Sequence, residues 1–179
     1  MQPNIDPYKE KYNIKNLETA KNLITMANSV IDSSTNFIIA PETTFSQPVL
    51  ESDYRFTNAY KILQDFSNQK NINIVAGYTF YKRYNSLKQP TATANKIKQS
   101  KNSWYDMYNS ASYISLNNVP QIYYKSKLVV GVELFPYKNI LQPILGESLI
   151  NLGGSISSLG TQKKRDLFKY DHFRMAPII

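Results

Sequence analysis

Asn36-Phe37-Ile38-Ile39-Ala40-Pro41-Glu42-Thr43 is the stretch on which the reading of the fold turns. Its apolar run, with two β-branched residues in the middle, reads as a short buried strand. Pro41 cannot donate to a ladder and ends the run, which leaves Glu42 at the strand's C-terminal end. Upstream, Leu17, Ala20, Leu23, Ile24, Ala27, Val30 and Ile31 recur at helical spacing, with Asn16 as the expected N-cap and Glu18 in the first turn. Downstream, Phe56, Ala59, Tyr60, Leu63 and Phe66 mark a second helix, and Ile72 to Tyr81 a second strand. Asp106 to Leu116 reads as a further strand, Asn117-Asn118 as a turn, and Gln121 to Lys125 as the strand that follows.

The flanks add less. Met1 to Asp6 reads as the tail of a strand entering the Asp6-Pro7 turn, and Ile140 to Leu152 as a helix broken by Gly153-Gly154. Phe168 to Tyr170 and Met175 to Ile179 are expected to be short strands. Helices alternating with strands, followed by paired strands, indicate an α/β layered domain. With no repeat and no internal linker, one domain is expected over residues 1–179, incomplete at its ends.

Composition narrows the chemistry. A chain of 179 residues with 42% apolar content can bury a core. No apolar run approaches the roughly 18–20 residues of a membrane span, and no signal peptide opens the sequence. Zero cysteines rule out disulfides, thiolate metal sites and a cysteine nucleophile within these residues. A single histidine excludes a multi-His metal centre and argues against a Ser-His-Asp triad, so His172 reads as structural or surface. Gly153, Gly154 and Gly160 lack the spacing of a phosphate loop, and no cofactor or metal is expected.

The net charge of +8 favours an anionic partner. Lys82, Arg83, Lys88, Lys96, Lys98 and Lys101 fall between Lys82 and Ser103 with no acid among them. This stretch reads either as a solvated, mobile hairpin loop or as a patch facing anionic head groups. Nucleic acid is not expected there, because Tyr84 is the one nearby stacking ring and no reader motif is present.

Three residues are candidates for chemistry. Glu42, where a strand end delivers a side chain into a site, reads as a general base or as a loop carboxylate capping the next element. Lys125, set among tyrosines at the end of a strand, reads as an oxyanion stabiliser or as an edge-strand lysine that discourages pairing. Lys127 shares its face by period two. Glu133, close in sequence to Lys125, reads as a surface acid or as a carboxylate that holds the lysine.

Taken in order, several stretches resemble the nitrilase (carbon–nitrogen hydrolase) superfamily and, within it, the apolipoprotein N-acyltransferase family. They are Gln2 to Tyr8, Ala40-Pro41-Glu42-Thr43, Asp106 to Ala111, and Tyr124 to Val129 through Gly131-Val132-Glu133. Gly153-Gly154-Ser155 and Leu159-Gly160-Thr161-Gln162 add to the likeness. The resemblance implies an incomplete α-β-β-α sandwich. It implies Glu42 as the general base, Lys125 as the stabiliser of the tetrahedral intermediate and Glu133 as a supporting acid. It further implies a cysteine nucleophile immediately after Ile179, so these residues alone are expected to be inactive. Val130 departs from the family, where proline is common.

The implied chemistry is acyl transfer from a phospholipid through a thioester to the amine of a diacylglyceryl-cysteine lipoprotein. The implied setting is a bacterial inner membrane, with the domain on the periplasmic side and transmembrane helices outside these residues. Two rivals stand beside it: a soluble amidase of the same superfamily acting on small C–N substrates, and a non-enzymatic basic module that binds membranes.

Overall fold

The computed structural model describes residues 1, 14–98, 100–129, 133, 159–170, 172–177 and 179. Among these residues two α-helices, α1 (Asn16–Asn28) and α2 (Asn58–Lys70), accompany a six-stranded mixed sheet and a separate two-stranded one, so the class is α/β. The sheet strands are β1 (Phe37–Ile39), β2 (Phe45–Leu50), β3 (Asn73–Asn85), β4 (Asn95–Lys96), β5 (Ser103–Ile114) and β6 (Gln121–Tyr124). A hairpin of β7 (Phe168–Tyr170) and β8 (Phe173–Met175) forms the small sheet.

The sheet is built on one long antiparallel ribbon, β3 against β5, in register from Ile74↔Ile114 to Asn85↔Ser103. Each side of the ribbon is flanked by two short strands. On the β3 side, β1 runs parallel to Asn73–Val75 and β2 runs parallel to β3 further along, from Tyr78 to Tyr81. On the β5 side, β6 pairs with Ser110–Tyr113 and β4 with Trp104–Tyr105. The gap between β1 and β2 is the excursion that carries Glu42.

Alternation along the ribbon sorts side chains onto two faces. Ile74, Ala76, Tyr78, Phe80 and Ile114 pack with Leu23 and Ala27 of α1, Leu63 and Phe66 of α2, and Tyr54. Stacked Phe45–Tyr78 and Tyr78–Phe80 pairs, met edge-on by Tyr54, give this core offset and T-shaped ring geometry. The opposite face buries Val75, Ala111, Tyr113 and Tyr123 under Phe168 of β7.

Several expectations are corrected. Asn16 is the first residue of α1 and not its cap; Lys15 holds the cap position without a side-chain bond. The Asn16 side chain instead pairs with β2, its Nδ2 donating to Gln47 O at 2.9 Å while Gln47 N donates to Asn16 Oδ1 at 3.3 Å. The helix stops at Asn28, so Val30 is 69% exposed. Phe56 closes a 3₁₀ helix over Glu51–Phe56 and is 73% exposed, while Thr57 caps α2 by accepting from Tyr60 N.

Strand β2 was not anticipated; Pro48 within it, a residue that a central strand would not accept, fits here on the sheet's edge. Strand β3 runs on to Asn85 and β4 forms at Asn95–Lys96, so the basic stretch is partly strand and not simply a loop. The terminal strand ends at Met175, where it was expected to begin. The expected strand at 1–6, the helix at 140–152, Gly153-Gly154 and Val130 fall on residues outside those described, Met1 apart.

Candidate active site

Glu42 reaches the sheet because the chain crosses β3 at a glycine. Leaving β1, Ala40 N donates to Val75 O at 2.8 Å, and Gly77 N then donates to Pro41 O at 3.1 Å. A Cβ on Gly77 would lie 2.3 Å from Thr43 N and 2.7 Å from the Glu42 Cα, so only a residue without one lets the turn rest on the strand. Thr44 Oγ1 closes the turn on Pro41 O at 2.7 Å. The turn holds Thr43 at φ 53°, a left-handed conformation that a β-branched residue adopts only under constraint.

Lys125 arrives from the opposite edge. It follows β6 directly, and its backbone N–H donates to Asn109 O at 2.8 Å, extending the ladder by one bond. Asn109 stands between the two edges: it pairs with Thr79 across the ribbon and presents its side chain on the face opposite the helices. Sequence distance gives no hint of this meeting.

The side chains converge closely. Lys125 Nζ lies 2.9 Å from Glu42 Oε1 and 3.1 Å from Glu133 Oε2. Asn109 Nδ2 donates to Glu42 Oε1 and, at 2.6 Å, to Glu133 Oε1. Glu133 is also tied to the backbone. Its Oε2 accepts from Val129 N at 2.8 Å, its own N–H donates to Val129 O, and its carbonyl accepts from Leu159 N at 3.1 Å. Glu42 Oε2 has no partner among the described residues.

Burial is uneven across the cluster. The Lys125 side chain is 7% exposed, that of Glu133 12% and that of Glu42 42%. The buried charges are therefore those of Lys125 and Glu133, and Glu42 is the member of the cluster that meets solvent. Burial pushes the Lys125 ammonium toward its neutral form, but hydrogen bonds and charge from Glu42 and Glu133 outweigh it and hold its pKa above the ordinary value. Burial likewise pushes Glu133 up, and the Val129 N–H, the Asn109 amide and Lys125 together hold it below the ordinary carboxylate value. The arrangement presents a fixed cation between two carboxylates, the more exposed of which has one oxygen without a partner among the described residues.

The structure thus brings Glu42, Lys125 and Glu133 into one cluster. The residue-level reading of Glu133 as a surface acid gives way, because Asn109 of β5, Lys125 just after β6 and the Val129 backbone enclose it. Lys127 is exposed and outside the cluster, and His172 lies on the β7–β8 turn. Sequence reasoning gave no role to Asn109 or Gly77. Asn109 carried no local signal beyond its place in the Asp106–Ala111 stretch. Gly77 did, since an isolated glycine within a strand marks a close backbone approach. No protein-family model matches the chain, and no curated protein sequence matches it.

Proposed function

We propose that Glu42, Lys125, Glu133 and Asn109 form the acid–base and oxyanion half of an acyl-transfer site of the nitrilase type, and that the chain is part of an apolipoprotein N-acyltransferase. The observation that carries this reading is the buried Lys125 ammonium held 2.9 Å from Glu42 and 3.1 Å from Glu133 by groups from separate parts of the chain. A structural ion pair needs one partner; a lysine locked between two carboxylates is held to a fixed position from which it can meet developing negative charge. On this reading the fold is the sheet-and-helix half of an α-β-β-α sandwich.

Glu42 Oε2 takes the proton of a thiol, and the thiolate attacks the ester carbonyl of a phospholipid. Lys125 donates to the resulting oxyanion, with Glu133 and Asn109 holding the ammonium and Glu42 in place. Collapse expels the lysophospholipid alkoxide, which recovers the proton from Glu42 and leaves a thioester. The amine of the diacylglyceryl-cysteine acceptor then attacks the thioester, loses its proton to Glu42 and releases the thiol. These 179 residues hold no cysteine, so the thiol comes from chain outside them.

No helix among the described residues is long and apolar enough to cross a membrane. The membrane setting on the periplasmic side is therefore assigned to segments outside these residues, and Lys88, Lys96, Lys98 and Lys101, all exposed on the β3–β5 hairpin, provide a surface for anionic head groups.

The test is acyl labelling of the full-length protein. Incubated with phospholipid carrying a labelled acyl chain, it is expected to hold label in a hydroxylamine-sensitive thioester and to pass it to a diacylglyceryl peptide. Lys125→Met is expected to slow labelling by about 10²–10³-fold, the effect of losing an oxyanion donor. Release of ammonia from small amides without lipid labelling would move the assignment to the amidase branch. Absence of both activities would leave a non-enzymatic module.

A further inference from the structure

The face that carries Asn109 continues along β3 and β5, away from the carboxylates. Tyr81 stands opposite Met107, and Arg83 opposite Tyr105, two and four residues beyond the Thr79–Asn109 pair. At roughly 3.3 Å per residue these pairs lie about 7 and 13 Å along the ribbon from Asn109. With Pro48 of β2 and Ile97 beyond β4, they line a cleft of about 370 Å³.

The lining is unbalanced. Five of the six residues present apolar or aromatic surface, and the sixth is an arginine. The ion pairs among the described residues are Lys82–Glu51, Lys125–Glu42 and Lys125–Glu133, so the Arg83 guanidinium belongs to none of them. Its neighbour Lys82, on the other face of β3, differs: it is 3.1 Å from Glu51 and lies over the Tyr124 ring at 4.5 Å. A guanidinium beside an apolar cleft, with no ion-pair partner among the described residues, is complementary to a ligand with a planar anionic group and a hydrocarbon body.

The geometry points to this cleft as a binding site for an anionic amphiphile, with one aliphatic chain among Tyr81, Ile97 and Met107 and its carboxylate or phosphate on Arg83. The role, holding an acyl donor beside Lys125, rests on the acyl-transfer reading; binding itself does not require it. A purely apolar ligand would gain nothing from Arg83, and a small anion would leave the cleft unfilled.

Fluorescence titration of the 179-residue chain with cis-parinaric acid and with its methyl ester, below their micelle-forming concentrations, tests the site. The acid is expected to bind saturably and about tenfold or more tightly than the ester, as a charge-assisted hydrogen bond requires. Arg83→Gln, at an exposed position, is expected to bring the acid down to the ester's affinity, and Met107→Trp to abolish binding of both. Displacement by lysophosphatidylglycerol identifies a lipid phosphate as the preferred anion; its failure to displace identifies a free carboxylate. Equal binding of acid and ester, unchanged by Arg83→Gln, or no saturable binding by either, overturns the proposal. Lys125→Met is expected to leave binding intact, so a parent protein without acyl transfer that still binds the probe refutes the catalytic reading alone.

Discussion

On the helix side of the β3–β5 ribbon, Tyr78, Phe80 and Ile114 disappear into a packed aromatic and aliphatic core. On the other side, the intervening residues include Val75, Ala111 and Tyr113, packed under Phe168, and then Gly77, Thr79 and Asn109, where the space above holds a turn, an amide and an ion-pair cluster. The core region draws its energy from apolar area removed from water, the site region from hydrogen bonds and charges that have meaning only in one geometry. The contrast shows how a fold keeps a constrained site without losing its core: the strands are shared, but the two sets of side chains are separate.

The comparison breaks first, and most, on the core side. Phe80→Ala removes a fully buried ring stacked on Tyr78 and is expected to cost about 3–5 kcal/mol in urea denaturation. Its pH dependence of stability should stay that of the parent chain. A change in that dependence would show that the two faces are coupled.

The next largest effect lies on the site side. Gly77→Ala drives a methyl into the Thr43 backbone, and about 2 kcal/mol is expected from displaced chain. NMR titration should find the Lys125 ammonium closer to its ordinary pKa, since a shifted turn carries Glu42 away. An unshifted Lys125 in this variant would mean that the turn does not position Glu42.

This glycine also shows where the sequence was legible. The apolar period of α1 and α2, the short strand before Pro41 and the Asn117 turn are local patterns, and the structure carries them. What could not be read depends on distant partners. Asn16 looks like a cap until Gln47, 31 residues on, offers it a better bond. Pro48 looks like a strand breaker until β2 proves to lie on an edge, and Lys82 to Asn85 look like loop until β5 pairs with them. Glu133 looks solvated because acids usually are, and its enclosure comes from Asn109 and Lys125. Glu42 and Lys125 were picked out by strand ends, but that they touch each other is a fact of sheet order alone.

The smallest expected effect is one of profile shape. Glu133 has a lowered pKa, so its contribution to stability is present above its ordinary value of 4.5 and is lost as pH falls through the folded value. Lys125 has a raised pKa, so its contribution is present below 10.5 and is lost as pH rises through its higher folded value. Stability measured against pH should therefore be flat between these limits where the two groups are concerned. Glu133→Gln should flatten the acid limb without touching the helix-side core, and an acid limb as steep as before would assign it to other carboxylates.

The lysine between two acids also sets a limit that can be counted. An ammonium has three hydrogens, and Glu42 and Glu133 each occupy one. The amide of Asn109 has two, and the same two carboxylates take both. Of the five side-chain N–H groups gathered at this point, no more than one is left over by the described residues, and it is on Lys125. Whatever this site receives from these side chains, it receives through at most a single directed hydrogen; any second donor must come from elsewhere in the protein.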